Sequence, residues 1–300
     1  MWRASKGVVM KLNVNCLSCN LKQAITITNR LGIESKLQEA VVKEVLKSLS
    51  MADFEKCNPE IMRNTWSIIT GMLNMHDPYH EIKRQNNIDL LNIMDDIEKI
   101  INTSENKLLT SLKISIIGNM IDFAAKENVS CEEVLSLVKN VHNIDFVVDD
   151  SNELFEVLSS AGTCLYIGDN CGECVLDRVF ISQIKRVFPQ IKVYYVVRGF
   201  PVLNDVTMED AHMIGMDSYA SIIHSGDSAP GIILSTASQD LKDKFEKCDV
   251  ILSKGQGNYE SLSSLEREHM FFLFMAKCEV IQSIFHTDKY GLFCVKNTIG

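Results

Sequence analysis

Apolar residues recur every three or four positions along the first part of the chain, from about residue 20 to residue 128. The series Val41, Val45 and Leu49 is one example. Because an α-helix turns once in about 3.6 residues, this spacing puts the apolar side chains on one face of each helix. The first part of the chain, residues 10–130, is therefore predicted to be helical.

Two segments define helices within this part. Asp77 followed by Pro78 is a typical helix start and predicts a helix that continues towards Ile101. Another helix is expected over residues 108–125, where a polar stripe adjoins the apolar face and consists of Ser115, Asn119 and Asp122. A buried polar stripe would need partners, so the pattern favours solvent exposure. The alternative is that Asn119 and Asp122 reach into a site in the second part of the chain.

Beyond about residue 129 the pattern changes to short β-rich runs separated by helical stretches. Five runs are predicted to be strands: residues 164–167, 193–197, 220–224, 250–252 and 292–295. Strands that alternate with helices form a mostly parallel sheet with crossover helices. Residues 131–300 are therefore predicted to be an α/β unit on which the helical part packs.

Composition and charge exclude several classes of protein. The 300 residues are 46% hydrophobic and 23% charged, as in ordinary globular proteins. Apolar runs end well short of the ~20 residues that a membrane helix needs, and the N-terminus lacks a signal-peptide core, so we expect a soluble, cytoplasmic protein without a membrane partner. The net charge of -9 argues against nucleic-acid binding, and ten scattered cysteines are too few for a disulfide scaffold.

Carboxylates, amides, cations and glycines come directly after four of the predicted strands. In open parallel sheets, ligands bind beyond the carboxyl ends of the strands, so these positions are candidate site residues. In chain order they are Asp169, Asn170, Glu173, Arg198, Asn204, Asp205, His224, Asp227, Lys254 and Asn258.

Three of these residues form a candidate metal site. Asp169, Asn170 and Asp205 offer two carboxylates and one amide oxygen, a donor set that suits Mg²⁺, Mn²⁺ or another octahedral divalent ion. The alternative is that the two aspartates cap the helices that follow them, and Thr207 with Asp210 forms a possible capping box beside Asp205. Spacing alone does not decide between these interpretations.

Lys254 precedes a glycine-rich turn that contains Gly255 and Gly257. Backbone N–H groups in such a turn can hold a phosphate while the lysine adds positive charge. A plain β-turn is the commoner use of such a sequence. Arg198 could hold a second phosphate oxygen or form a structural ion pair.

Two cysteine pairs have C-x-x-C spacing, Cys16 with Cys19 and Cys171 with Cys174. Such a pair can be half of a zinc site or a redox couple, but neither pair is complemented by another at zinc-finger spacing. Packing as small apolar side chains is the favoured interpretation.

Taken together, these motifs resemble those of the damage-control phosphatases, first described as domain of unknown function 89. The resemblance extends over nearly the whole chain after Met10. It rests on six segments in order: CLSCNLKQA at 16–24, DPYHEIK at 77–83, GNMIDF at 118–123, GDNCGE at 168–173, RGFPVLND at 198–205 and KGQGNYE at 254–260. The N-terminal C-x-x-C is similar to that of the stand-alone prokaryotic branch.

This resemblance implies a fold, a cofactor and an activity. The fold would be α/β, with a helical N-terminal part (10–130) packed on a Rossmann-like, mostly parallel core (131–300). A divalent metal ion (Mg, Mn, Co or Ni) would be held by Asp169, Asn170 and Asp205, and the activity would be hydrolysis of phosphomonoesters of small metabolites, such as sugar phosphates or damaged phosphometabolites. Lys254 would contact the phosphate, and substrate or supporting roles would fall to Arg198, Asn204, Glu173, Asn119, Asp122 and Asn258.

The sequence allows more than one nucleophile and more than one function. A metal-bound water is the first choice of nucleophile, and Asp169 or Asp205 acting covalently is the alternative. Cys171 stands where a small residue such as alanine is expected, and its thiol could favour softer metal ions. The sequence also leaves two alternative functions. One is that of an S-adenosylmethionine-dependent methyltransferase, although the G-x-G turn expected in such an enzyme is missing. The other is that of a non-catalytic, metal-dependent ligand sensor.

Overall fold

The protein is described by a computed structural model over residues 10–118, 131–276, 278–287 and 291–297. These residues form thirteen α-helices and one seven-stranded β-sheet. No helix among them is long and apolar enough to cross a membrane.

The first part of the chain is helical, as predicted. Its six helices are α1 (Val14–Arg30), α2 (Ser35–Ser50), α3 (Asn58–Leu73), α4 (His80–Asn92), α5 (Met94–Thr103) and α6 (Lys107–Ile117). The apolar series Val41, Val45 and Leu49 is buried on one face of α2, where it packs against α1 and α3. The 3.6-residue spacing therefore identified the buried face correctly.

The prediction of one helix from Asp77 towards Ile101 is wrong. Asp77 accepts a hydrogen bond from the backbone N–H of Tyr79 (3.0 Å), so the Asp-Pro pair forms the turn that precedes α4. At Ile93 the backbone leaves helical geometry (φ -106°, ψ 8°), and its N–H bonds to the carbonyl of Leu90. This tight turn ends α4 and starts α5, whose buried face then packs into the core.

The second part of the chain alternates helices and strands. Its strands are β1 (Phe146–Asp149), β2 (Thr163–Ile167), β3 (Lys192–Val197), β4 (Ser221–His224), β5 (Val250–Lys254), β6 (Met270–Met275) and β7 (Leu292–Lys296). Its helices are α7 (Cys131–Lys139), α8 (Ser151–Ser160), α9 (Glu173–Val187), α10 (Met208–Met213), α11 (Gln239–Lys247), α12 (Gln256–Leu262) and α13 (Glu279–Ile284). The strand order is β1-β7-β6-β5-β2-β3-β4, and every neighbouring pair is parallel except β6 with β7. The α/β fold with a mostly parallel sheet is confirmed.

The sequence pattern predicts five of these strands and misses β1 and β6. Every residue of β6 is buried, so its sequence, MFFLFM, shows no alternation of apolar and polar positions. A short continuous apolar run of this kind does not distinguish a buried strand from a buried helix. β1 is only four residues long and lies at the edge of the sheet.

One hydrophobic core extends from the helical part into the sheet. Ile97 of α5 and Leu112 of α6 belong to the same buried cluster as Tyr166 of β2 and Phe180 of α9. α6 lies against α9, and Gly118 at its end allows the close approach, since a β-carbon there would lie 2.9 Å from Cγ of Glu173. The helical part thus packs on the α/β core, and the division near residue 130 stays a prediction.

Candidate functional site

Strands β5, β2 and β3 lie side by side, so the three turns at their carboxyl ends meet at one place on the sheet edge. The turns after β2 and β3 also pair directly through an antiparallel β-bridge between Asn170 and Asp205. Beside this bridge, the N–H of Cys171 donates to the carbonyl of Asn204 at 2.9 Å. Two turns that are more than thirty residues apart in sequence are thereby fixed together, and they bring Asp169 and Asn170 to Asp205.

The buried guanidinium of Arg198 joins the two carboxylates of this edge. Its Nε lies 2.6 Å from Oδ2 of Asp205, and its Nη2 lies 3.5 Å from Oδ1 of Asp169. Its Nη1 also donates to Oδ1 of Asn258 at 3.4 Å. Burial raises the pKa of Asp205, and the charge of Arg198 opposes that shift. This geometry is that of a structural ion pair, and a direct contact of Arg198 with substrate stays a prediction.

Neither aspartate caps a helix. The N-cap of α9 is Gly172, and the N-cap of α10 is Thr207, which forms the predicted capping box with Asp210. The capping interpretation of Asp169 and Asp205 is therefore wrong, while the capping box beside them is confirmed.

The predicted ligand set fits a divalent ion in its chemistry. Asn170 uses its amide nitrogen to donate to Asp169 (2.7 Å) and Glu173 (3.1 Å), and no described residue donates a hydrogen bond to its Oδ1. Asp205 uses Oδ2 for Arg198, and its Oδ1 likewise has no hydrogen bond from a described residue. These two oxygens and the carboxylate of Asp169 are hard donors of the kind that Mg²⁺ and Mn²⁺ prefer.

Lys254 lies in a fully buried charge cluster behind this edge. Its Nζ is 2.7 Å from Oε1 of Glu173, donates to the carbonyl of Ser115 at 2.8 Å, and also donates to Oδ1 of Asp177. Burial lowers the pKa of Lys254, but the two carboxylates raise it more, so the net shift is upward and the ammonium stays charged. Two of the three N–H donors of the ammonium are thus hydrogen-bonded, to Ser115 and Asp177, and Glu173 pairs with its charge. The contact between Lys254 and a phosphate stays a prediction.

Asp177 is the central residue of this cluster, and the motif analysis did not identify it. Besides Lys254, it accepts hydrogen bonds from the hydroxyls of Tyr166 (2.7 Å) and Tyr195 (3.1 Å). Burial raises the pKa of Asp177 to about 6, and Lys254 opposes the shift. One signal was available in the sequence, because Asp177 follows Glu173 by four residues and therefore lies on the same helix face.

A second buried ion pair connects the helical part with the candidate site. Lys83 on α4 lies 2.7 Å from Asp77 and 3.2 Å from Asp210, whose carboxylate also closes the capping box of Thr207. That box begins two residues after Asp205. Lys83 thus ties α4 to the turn that carries one of the predicted metal ligands.

The other predicted residues divide into three groups. Glu173 is fully buried against Lys254 and Asn170, and Asn258 uses both ends of its amide within the protein, so both position other side chains. Asn204 lies at the site through its backbone bond to Cys171. Asn119 and Asp122 lie outside the described residues.

The predicted polar stripe on α6 is buried at Ser115, the one position of the stripe that the structure describes. The predicted solvent exposure is therefore wrong at Ser115. Its hydroxyl donates to the carbonyl of Leu112, and its own carbonyl accepts a hydrogen bond from Lys254.

The two cysteine pairs differ in burial. Cys171 and Cys174 are fully buried, while Cys16 is half-buried and Cys19 is exposed, and all four are free thiols. Among the described residues, no group of three or more His, Cys, Asp and Glu side chains is arranged to hold a metal ion.

Comparison with known proteins identifies the family. The model of the damage-control phosphatase ARMT1-like domain matches residues 12–291. The chain is 29% identical over 289 residues to the damage-control phosphatase PH1575 of Pyrococcus horikoshii, covering 96% of this chain and 99% of that protein. It is 28% identical over 275 residues to a damage-control phosphatase of Archaeoglobus fulgidus, covering 91% and 94%.

The same relationship holds in three dimensions. The crystal structure of PH1575, described as a DUF89 family protein, superposes with a TM-score of 0.89 at 29% identity, covering 96% of this chain and 100% of that one. The sequence match and the superposition both extend over almost the full length of each protein. The chain therefore belongs to the damage-control phosphatase ARMT1-like family.

Proposed function

We propose that this protein is a metal-dependent phosphatase that hydrolyses phosphomonoesters of small metabolites, such as sugar phosphates or damaged phosphometabolites. Two relatives similar over their full length are named damage-control phosphatases. The observation that carries the proposal is the β-bridge that brings Asp169, Asn170 and Asp205 together at the carboxyl edge of the sheet. This is the edge at which open α/β sheets bind their ligands.

The charge balance of this edge supports the need for a cation. Two buried cations, Arg198 and Lys254, face four buried carboxylates, which belong to Asp169, Asp205, Glu173 and Asp177. An anionic phosphomonoester would meet an excess of negative charge at this place. A divalent ion held by Asp169, Asn170 and Asp205 would offset the excess, and it would supply positive charge to the phosphoryl oxygens and lower the pKa of a water ligand.

The protein's own side chains then have separable roles. Arg198 fixes the orientation of both aspartates, and Asn170 keeps its amide oxygen on the side of the ligand set because its nitrogen is bonded to Asp169 and Glu173. A carboxylate near the ion would help to remove the proton of the attacking water, and direct attack by Asp169 or Asp205 is the alternative.

The test is phosphate release by metal-stripped protein, with Mg²⁺, Mn²⁺, Co²⁺ or Ni²⁺ added back, on p-nitrophenyl phosphate and a panel of sugar phosphates. We expect at least one ion to restore release, Asp205→Asn to abolish it, and the exposed control Asp217→Asn to retain it. If folded protein binds metal but releases no phosphate from any substrate of the panel, the result would instead favour a ligand sensor. Binding of S-adenosylmethionine without phosphate release would favour a methyltransferase.

A further inference from the structure

Packing as small apolar side chains does not explain the N-terminal cysteine pair, Cys16 and Cys19. Cys16 is the third residue of α1, and Cys19 follows it one helical turn later. Cys16 is half-buried and Cys19 is exposed, whereas Cys171 and Cys174 are fully buried. Burial therefore accounts for the second pair but not for the exposed thiol of Cys19.

Two further cysteines lie close to the N-terminal pair, around the buried carboxylate of Glu260. Burial raises the pKa of Cys16 to about 11, and Glu260 is the next largest cause of the shift. Cys19 and Cys278 lie near enough to raise this pKa further. Burial raises the pKa of Cys57 to about 12, and Glu260 adds to that shift as well. Four of the ten cysteines thus gather in one region outside the candidate phosphatase site.

The thiols of Cys57 and Cys278 are held by other side chains. Sγ of Cys57, at the N-cap of α3, donates to Oε2 of Glu60 at 3.5 Å. Sγ of Cys278 accepts a hydrogen bond from Nε2 of Gln256 at 3.2 Å. These two cysteines are therefore less suited to react than the N-terminal pair.

The helix brings the two thiols of the N-terminal pair to one face. Residues three apart in an α-helix have Cα atoms about 5 Å apart, and disulfides join Cα atoms about 4.4–6.8 Å apart. Their Cβ atoms, about 5–6 Å apart in a helix, must approach to about 4 Å, so the turn must tighten when the bond forms. The N–H of Cys16 already bonds to the carbonyl of Asn13 at 2.9 Å, which is the tighter 3₁₀ pattern.

A chain of hydrogen bonds leads from the first turn of α1 to α12. Nδ2 of Asn20 donates to the carbonyl of Cys16 at 2.9 Å and to Oδ1 of Asn58 on α3 at 3.0 Å. Nδ2 of Asn58 donates to Oε2 of Glu260 on α12 at 3.3 Å, and Oε1 of Glu260 accepts from Gln256 at 2.9 Å. Asn20 and Glu260 are buried, so a shift of the Cys16 carbonyl passes through packed polar groups to α12.

α12 also belongs to the candidate phosphatase site. Its N-cap is Gly255, where a β-carbon would overlap the carboxylate of Asp169. Asn258 on the same helix accepts a hydrogen bond from Arg198, which holds Asp169 and Asp205. The first turn of α1 and the candidate site are therefore connected to the same short helix.

We propose that Cys16 and Cys19 form a reversible disulfide by exchange with a small-molecule disulfide, and that its formation lowers phosphatase activity through α12. The thiolate of the exposed Cys19 attacks one sulfur of the small disulfide, which releases one thiolate and leaves a mixed disulfide. Cys16 then gives up its proton and attacks the sulfur of Cys19, which releases the second thiolate. The protein loses two electrons and two protons, and the small disulfide takes up both to become two thiols. The effect on activity rests on the proposed phosphatase function, and the disulfide does not.

The disulfide is tested with oxidised glutathione and the reduced, full-length protein. Trypsin releases residues 12–22 as one peptide, which contains the N-terminal pair and no other cysteine. We expect this peptide to lose the mass of two hydrogen atoms on oxidation and to regain it with dithiothreitol. In Cys16→Ser, the reaction should stop at the mixed disulfide on Cys19. The control Cys131→Ser, which removes another partly buried cysteine, should oxidise like the wild type.

Three results would overturn the disulfide. One is a peptide 12–22 that stays reduced under a large excess of oxidised glutathione. Another is a disulfide that joins Cys16 to Cys278 instead of Cys19. The third is one tightly bound Zn²⁺ per chain that is lost in Cys19→Ser, which would assign the thiols to a metal site.

The connection to α12 is tested by comparing the reduced and oxidised forms of one sample. Oxidation should lower kcat for p-nitrophenyl phosphate by about 5-fold or more, the lower end of usual couplings between sites. It should also speed hydrogen exchange of the backbone amides of residues 256–262, and Cys19→Ser should show neither change. Unchanged exchange in α12, or an unchanged kcat in an active enzyme, overturns the connection. Faster exchange on oxidation in a protein that releases no phosphate would reject the phosphatase function alone.

Discussion

The carboxylate of Asp169 lies in the space that a side chain on residue 255 would occupy. A β-carbon built on Gly255 would be 2.0 Å from Oδ2 of Asp169 and 2.2 Å from its Cγ. Gly255 also has a φ of +78°, a conformation that residues with a β-carbon rarely adopt. The glycine after Lys254 thus has a steric role, because it lets the turn after β5 approach the aspartate after β2.

We predict that Gly255→Ala reduces phosphate release by about 100-fold or more, because the β-carbon must displace Asp169 from its place at the sheet edge. The matched control is Gly32→Ala. Gly32 has a similar φ of +61°, but a β-carbon there would meet nothing within 4 Å. The control also places a β-carbon on a residue with positive φ, but without touching the site.

Phosphate release and thermal unfolding should be measured on both glycine variants. Gly32→Ala should lose about 1–2 kcal/mol of stability. Gly255→Ala should lose more, because its β-carbon must also displace Asp169, and only Gly255→Ala should lose activity per folded molecule. Equal activity in the two variants would show that Asp169 need not occupy this position.

The buried ion pair of Lys83 should matter for stability. Lys83→Met leaves Asp77 and Asp210 without their shared cation, so we expect a loss of about 3–5 kcal/mol in the free energy of unfolding, measured with urea. The control is Lys99→Met, which removes an exposed pair with Asp96 and should have no measurable effect. Similar small effects from both changes would contradict the proposed link between α4 and the turn that carries Asp205.

The pH dependence of stability should report on Asp177. Burial raises its pKa from 3.8 to about 6 in the folded protein, so the folded state holds this proton more tightly than the unfolded chain does. Its stabilising contribution is therefore complete below about pH 4 and is lost as the pH rises to about 6. Between pH 4 and pH 7, we expect the wild-type protein to lose up to about 3 kcal/mol relative to Asp177→Asn.

This prediction is checked by urea unfolding of both proteins at several pH values, since the difference between them cancels the titrating groups that do not interact with Asp177. A stability difference that is independent of pH, or that changes in the opposite direction, would contradict a raised pKa of Asp177 in the folded protein.

The sequence predicted the local features of this protein better than its long-range ones. β2, β3 and β5 were found because each contains a short β-rich run, and the residues after them could be named because parallel strands end at one edge. β6 was missed because complete burial removes the alternation that marks a strand. That β5, β2 and β3 are neighbours depends on strand order, which periodicity does not encode.

The same distinction applies to the candidate site. Asp169, Asn170 and Asp205 could be named from their residue types and positions, yet the role of Arg198 between two of them required the folded arrangement. Asp177 lies in the middle of a helix and resembles a solvated residue in sequence. Only the packing of α9 against β2 and β5 shows that it faces Lys254 and two tyrosines.

We propose that Asp169, Asn170 and Asp205 hold the ion on which phosphate release depends. A calorimetric titration of metal-stripped protein with Mn²⁺, run beside phosphate release at the same free Mn²⁺ concentrations, tests this assignment. We predict one ion per chain, coincident half-saturation of binding and of phosphate release, and an affinity about 100-fold weaker in Asp205→Asn. Unchanged Mn²⁺ affinity in Asp205→Asn, or full phosphate release without any divalent ion, would show that these residues do not hold a required ion.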